Sequence, residues 1–184
     1  MVDSVCLLLY GKSFGLVAVA FAVAAALWTA VGSVMMKNHR KAWRAINALI
    51  AVALALIVIK ITLISREKGD YGLSLIPFDS FIRSKQEPEA LRSFFFNMVL
   101  FFPLGLTCPY AFGYSPKRAV PVAMAVLTVF SVIIEICQFA FGLGLCETDD
   151  VIANALGAAL GACIWLLAER ISSALKPCGK RSKP

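Results

Sequence analysis

The stretch VIIEICQFAFGLGLCETDDVIANALGAALG, residues 132–161, decides the fold because two long apolar runs in it carry polar residues inside and between them. Those polar residues are Glu135, Gln138, Glu147, Asp149, Asp150 and Asn154. A polar residue inside a membrane helix is costly unless it faces protein or water. We therefore expect these side chains to meet in space at one face of a membrane.

Apolar residues make up 60% of the 184-residue chain, whereas about 45–50% is usual in globular proteins. They are concentrated in runs of about the 20 residues that a helix needs to cross a bilayer. The predicted spans are residues 14–36, 45–64, 93–113, 119–141 and 151–169. The sequence thus predicts an all-α, polytopic integral membrane bundle of about five transmembrane helices.

The first apolar run is longer than the roughly 7–15 residues of a signal-peptide core, so we interpret it as a retained helix. The chain then divides into a short N-terminal segment (1–13), two N-terminal helices (14–64), a charged loop (65–92), a three-helix unit (93–170) and a basic tail (171–184). An apolar patch in the loop, YGLSLIPF, is expected to lie in the membrane interface, where aromatic residues are enriched. A disulfide between Cys6 and Cys146 stays open.

The distribution of charge predicts the orientation of the helices. Lys and Arg cluster in residues 37–44, in the turn at 114–118 and after residue 169, whereas most acids lie in residues 65–92 and 142–150. Short segments rich in Lys and Arg remain in the cytoplasm. We therefore predict an extracytoplasmic N-terminus and a cytoplasmic C-terminus. The net charge of +7 is then explained by the basic residues that fix the orientation of the helices. No nucleic-acid partner is therefore expected.

This orientation brings polar residues of several helices to one depth, near the outer leaflet. Glu135 and Gln138 lie near the outer end of the fourth helix, on the same face as Ser131, because their spacing of three and four residues matches the helical repeat. Lys60 is the only basic residue inside a predicted span. The candidate ligand-binding residues are Asn97, Glu135, Gln138, Asp149, Asp150, Asn154 and Lys60. We predict no metal site and no cofactor, and the sequence identifies no catalytic residue.

Each candidate residue also has a purely structural interpretation. Asp149 and Asp150 could cap a helix N-terminus. Membrane amides commonly join helices by hydrogen bonds, which would account for Asn97, Gln138 and Asn154. Glu135 could form an ion pair with Lys60. The spacing of Gly157 and Gly161 is typical of close helix packing.

Three ordered motifs make the chain resemble the VanZ-like membrane protein family. They are NMVLFFPLG (Asn97 to Gly105), EICQ (Glu135 to Gln138) and ETDDVIANALGAALG (Glu147 to Gly161), and SLIPFDSF (Ser74 to Phe81) is similar to the family's lead-in. The resemblance covers roughly residues 74–166. One departure is that the family often has an Arg shortly before its acidic turn, where this chain has Gly144. Another cation, such as Lys60 or Arg92, would have to replace that Arg.

The resemblance implies a multi-pass protein of the bacterial cell membrane. It also implies a role in the cell envelope, since the founding member is associated with resistance to the lipoglycopeptide teicoplanin. The first hypothesis is a protein that binds or modulates a lipid-linked wall component through an outward-facing polar site. Its partners would be membrane lipids and a lipid-linked wall precursor or lipoglycopeptide. The alternatives are a metal-dependent intramembrane enzyme acting on lipid-linked phosphates and, third, a small transporter with Glu135 as a relay.

Overall fold

The computed structural model describes residues 13–66, 72–113 and 115–174, which are mostly helical. The helices are α1 (Ser13–Asn38), α2 (Arg40–Ile59), α3 (Asp79–Arg83), α4 (Pro88–Phe112), α5 (Pro116–Phe141) and α6 (Thr148–Ala174). A π-helical turn, Lys60–Ile64, extends α2, and two short strands are β1 (Gly72–Ser74) and β2 (Leu145–Glu147). The all-α membrane bundle predicted from composition is confirmed.

Four segments of the described residues are long and apolar enough to cross a membrane. They are Arg40–Ile64, Glu89–Phe112, Lys117–Phe141 and Thr148–Ala174. The first predicted span is also helical, as α1. The predicted loop at residues 37–44 is almost absent, because His39 alone separates α1 from α2, so its basic residues lie on helix ends.

The helix α4 begins earlier than the predicted span, at Pro88. Proline is favoured in a first helical turn because its missing N–H would have no partner there. The helix forms its most extensive contact with α6. Glycines permit this contact: a Cβ at Gly105 would collide with the backbone of Ala158, and a Cβ at Gly157 would collide with that of Met98. The predicted packing role of the GxxxG spacing is therefore confirmed.

The helix α5 separates its polar and apolar faces as its sequence predicts. Val129, Ile133 and Ile136 are exposed on one face, whereas Ser131 and Glu135 are buried. Exposed aliphatic side chains are what a helix presents to lipid. The polar face of α5 is therefore directed into the bundle.

The segment between α2 and α4 is more ordered than a loop. Strand β1 pairs in parallel with β2, with Gly72 opposite Leu145 and Ser74 opposite Glu147. The short helix α3 follows β1, and the large side chains of this segment are exposed: Leu73, Leu75, Ile76, Phe78, Phe81 and Ile82. The strand pair was not predicted from the sequence. The interfacial location of this apolar patch stays a prediction.

Candidate functional site

Three of the predicted residues, one from each of α4, α5 and α6, form what we call the acid–amide layer: Asn97, Glu135 and Asp150. Their exposed fractions are 7%, 3% and 5%. The Asn97 side chain forms a hydrogen bond with Asp150, and the carboxyls of Glu135 and Asp150 are close enough to interact electrostatically. Residues more than fifty positions apart in sequence thus meet at one level.

The cation that faces this layer is Arg66, which the sequence did not single out. Its charge acts on the carboxyls of both Glu135 and Asp150. A Cβ at Gly144 would come within 2.9 Å of Arg66 Nη1, so the guanidinium lies against the position where VanZ-like proteins often have an Arg. Besides the charge of Arg66, the Glu135 carboxyl has a hydrogen-bond donor. Its Oε2 accepts a hydrogen bond of 3.2 Å from the backbone N–H of Glu147.

Two predicted amides flank the acid–amide layer. Asn154 lies one helical turn after Asp150 and donates from Nδ2 to Ser131 Oγ at 2.8 Å. Gln138 lies nearly one turn after Glu135 and donates from Nε2 to the carbonyl of Thr62 at 3.1 Å. These bonds join α6 to α5 and α5 to the end of α2, which supports the structural interpretation of Asn154.

The carbonyl oxygens of these two amides remain without partners. Gln138 Oε1 and Asn154 Oδ1 are buried and accept no hydrogen bond from any described residue. Most buried polar groups in proteins are hydrogen-bonded, so each exception requires an explanation, such as a water or a ligand. The polar cluster therefore has spare acceptor capacity for a molecule outside the chain.

Asp149 has a different role from Asp150. Its carboxylate accepts hydrogen bonds from the backbone N–H of Phe78 and, at 2.7 Å, from that of Ser80. It therefore holds the start of α3, where Phe78 adopts a left-handed conformation with φ of 63°. Asp149 caps a distant helix rather than its own.

An ion pair strengthens the same attachment. Arg83, at the end of α3, binds Glu147 in β2 and also contacts Asp79 Oδ2 at 2.8 Å. The hydrogen bond to Glu147 raises the pKa of Arg83 above its ordinary value. The segment containing β1 and α3 is thus fixed over the ends of α5 and α6.

Lys60 lies outside this cluster. It is exposed, and among the described residues the ion pairs of the acids involve Arg83 and Arg92 but not Lys60. The alternative in which Lys60 pairs with Glu135 is therefore wrong, because no ion pair joins the exposed Lys60 to the buried Glu135. Arg66 is a further candidate for the cation that replaces the missing Arg, because its charge acts on Glu135 and Asp150, and a replacement by Lys60 or Arg92 stays a prediction. A ligand contact by Lys60 stays a prediction.

A cavity of about 410 Å³ lies beside the acid–amide layer. It lies between the end of α2 and the start of α4, and Asn97 belongs to both the layer and the cavity wall. Its other lining residues are Ile61, Thr62, Ser65, Arg66, Glu89, Arg92, Ser93 and Phe96. In the described part of the chain, no group of three or more His, Cys, Asp or Glu residues could hold a metal ion.

The comparison with known proteins shows the family to which the chain belongs. The VanZ/LLP1 family profile matches residues 46–169, which contain α4 and α5 and most of α2 and α6. The chain belongs to the VanZ/LLP1 family. The match begins earlier than the motifs suggested, so α2, which supplies Thr62 to the site, is part of the VanZ/LLP1 unit.

A curated relative of this VanZ/LLP1 protein is "Protein VanZ" of Enterococcus faecium. The two are 34% identical over 77 residues, which cover 40% of this chain and 44% of the relative. The chain thus matches less than half the length of that relative. No solved structure matches the chain significantly.

Proposed function

We propose that this VanZ/LLP1 protein binds or modulates a lipid-linked component of the bacterial cell wall at an outward-facing polar site. This activity would contribute to resistance against lipoglycopeptides of the teicoplanin type. The proposal draws on the family membership and on the buried polar cluster at one end of the bundle.

The observation that carries the proposal is the pair of unpartnered amide oxygens, Gln138 Oε1 and Asn154 Oδ1. Leaving a buried acceptor without a donor costs on the order of 1–3 kcal/mol. A wall precursor carries sugar hydroxyls and peptide N–H groups, which are hydrogen-bond donors. A ligand of this class would satisfy oxygens that the chain itself does not.

The metal-dependent enzyme and the transporter remain alternatives that no particular observation favours. A phosphotransfer enzyme of this kind would need oxygen ligands grouped around a divalent ion. The acids of the described residues instead face Asn97, Arg66, Arg83 and backbone N–H groups.

The test is an alanine scan of Asn97, Glu135, Gln138, Asp149, Asp150 and Asn154, scored as the teicoplanin concentration that inhibits growth at equal membrane expression. We expect the three amide variants, Asn97→Ala, Gln138→Ala and Asn154→Ala, to lose the resistance that the wild type gives. Their side chains carry the hydrogen-bonding groups of the site but are not required to neutralise a charge.

The matched control is Asn47→Ala. Asn47 is a buried amide in α2 that donates to the carbonyl of Trp43 within its own helix and, like Gln138 and Asn154, has a buried carbonyl oxygen without a partner, but it does not line the cavity. We expect Asn47→Ala to retain resistance, because it removes such an amide outside the site; loss of resistance in this variant too would attribute the effect to helix packing. Retained resistance in all three amide variants at normal expression would refute the proposal.

A further inference from the structure

We propose that the cavity between α2 and α4 binds the phosphate group of a lipid headgroup through Arg66 and Arg92. This inference rests on the proposed function, because it assigns a chemical class to the ligand of the same site. It adds Arg66, which was not a candidate from the sequence, and places it in one cavity with Arg92, which the sequence already suggests as a phosphate contact.

Two arginines from different elements line this one cavity. Arg66 follows the π-helical turn at the end of α2, whereas Arg92 lies in the second turn of α4. The volume of the cavity, about 410 Å³, falls within the range of about 300–1,000 Å³ that is usual for small-ligand sites. The hydroxyls of Ser65 and Ser93 and the amide of Asn97 add hydrogen-bonding groups to the same wall.

The charge of the lining favours an anion. Glu89 is the only acid among the lining residues, and it pairs with Arg92 at 2.8 Å. The Glu89 side chain is 73% exposed, whereas that of Arg92 is 23% exposed, so an incoming anion can displace Glu89 into water at small cost. The start of the 25-residue helix α4 adds the positive end of its dipole.

The chemistry of the lining favours phosphate attached to a lipid. A guanidinium binds phosphate oxygens with two parallel hydrogen bonds, which is the geometry that arginine provides and lysine does not. Ile61 and Phe96 form an apolar part of the wall, and both neighbouring helices are membrane spans. A phosphate with an attached hydrocarbon chain matches both parts of the cavity.

Arg66 also connects the cavity to the acid–amide layer. The same guanidinium that lines the cavity interacts with the carboxyls of Glu135 and Asp150. The attraction between these acids and the guanidinium favours side-chain conformations that keep Arg66 between the layer and the cavity.

The experiment uses the purified full-length protein in detergent and measures its thermal unfolding midpoint against phosphatidic acid, phosphatidylcholine and inorganic pyrophosphate. We expect phosphatidic acid, whose phosphate is an unmasked monoester, to raise the midpoint. Phosphatidylcholine, whose phosphate is a diester beside a choline cation, and pyrophosphate, which has no hydrocarbon chain, should leave it unchanged. We expect Arg66→Gln and Arg92→Gln each to weaken the apparent affinity for phosphatidic acid by about tenfold, which corresponds to one charged hydrogen bond. Glu89→Gln should tighten it, because it removes the competing carboxylate.

The control is Lys85→Gln, which removes an exposed positive charge on the same side of the bundle but outside the cavity. It should bind phosphatidic acid as the wild type does. If Arg66→Gln does not fold, because it leaves two buried acids without their cation, Arg92→Gln and Glu89→Gln still test the proposal in opposite directions. Unchanged affinity in both of them would overturn it.

The outcome also separates the two proposals. Stabilisation by pyrophosphate equal to that by phosphatidic acid would overturn the lipid source of the phosphate. Loss of phosphatidic acid binding in Arg92→Gln with full teicoplanin resistance would support the phosphate site and refute its link to the proposed function. Loss of resistance in the amide variants, with no phosphatidic acid binding by the wild type, would support the proposed function and refute the phosphate site.

Discussion

Asp149 and Asp150 show how two adjacent residues serve different partners. Successive residues of an α-helix are rotated by about 100°, so the two carboxylates point in different directions from the start of α6. Asp150 faces Asn97 inside the bundle, whereas Asp149 holds the backbone of Phe78 and Ser80. The acidic turn therefore joins the interior of the bundle to the segment that covers its end.

Asp149→Asn should destabilise the protein. An asparagine side chain has only one carbonyl oxygen, so one of the two N–H groups now bound by the carboxylate would face an NH₂ donor. We expect a loss of about 2 kcal/mol in the free energy of unfolding, measured as a lower thermal midpoint in detergent. Glu87→Gln is the control, since its side chain is 64% exposed. Equal midpoints for both variants would contradict the capping role of Asp149.

The side chains of the site were predictable to different degrees. The helical spacing of Ser131, Glu135 and Gln138 predicts a common buried face, and all three are buried. Arg66 gave no such signal, because it follows α2 in a charged segment without periodicity. Its place beside the acids depends on how the chain turns after α2, which is a tertiary contact that local sequence does not encode.

At the scale of elements, the contact between α4 and α6 depends on the absence of side chains. Gly105, Gly157 and Gly161 each lie where a Cβ would collide with the backbone of the other helix. Close approach of this kind gains dispersion energy and interhelical contacts in a membrane, where water contributes no hydrophobic driving force. The polar residues Asn97 and Asp150 can meet only because these two helices lie so close together.

Gly157→Val should push α6 away from α4, because the new side chain would collide with the backbone of Met98. Overpacking typically costs about 1–3 kcal/mol, so we expect a lower thermal midpoint and a weaker contact between Asn97 and Asp150. Leu156→Val, on the exposed neighbouring position, is the control and should change the midpoint little. A wild-type midpoint for Gly157→Val would show that the two helices do not pack through this glycine.

The long helices were predictable from their apolar runs, whereas the strands were not. Each of β1 and β2 has only three residues, which is too short to show the alternation that identifies a strand. Their pairing also joins Gly72 to Leu145 across two intervening spans. The observed helix ends differ from the predicted span ends, because caps and prolines determine where a helix ends and hydrophobicity does not.

For the whole molecule, the distribution of Lys and Arg predicts the orientation that the proposed function requires. A site that meets a wall precursor must lie outside the cytoplasm. Gln86 lies in the segment between α3 and α4, and Asn38 lies at the end of α1, and both are exposed. They are therefore suitable positions for measuring on which side of the membrane each end of the bundle lies.

Gln86→Cys should react with a membrane-impermeant thiol reagent in intact cells, whereas Asn38→Cys should react only after the membrane is opened. Both substitutions are made in a protein whose six native cysteines have been replaced. The expected difference follows from the retention of basic segments in the cytoplasm. The reverse labelling pattern would place the candidate site in the cytoplasm and remove the basis of the proposed function.

The pairing of β1 with β2 has a consequence for the order in which the protein is assembled. Ser80 and Asp149 are 69 residues apart, and α4 and α5 both lie between them. During synthesis the earlier segment therefore emerges without its partner, and it must wait until α5 has been inserted and the acidic turn has been translated. The end of the bundle that contains the cavity thus lacks its covering contacts until the start of α6 has been made, and a ribosome that stalls before residue 145 leaves a membrane-inserted but unfinished protein.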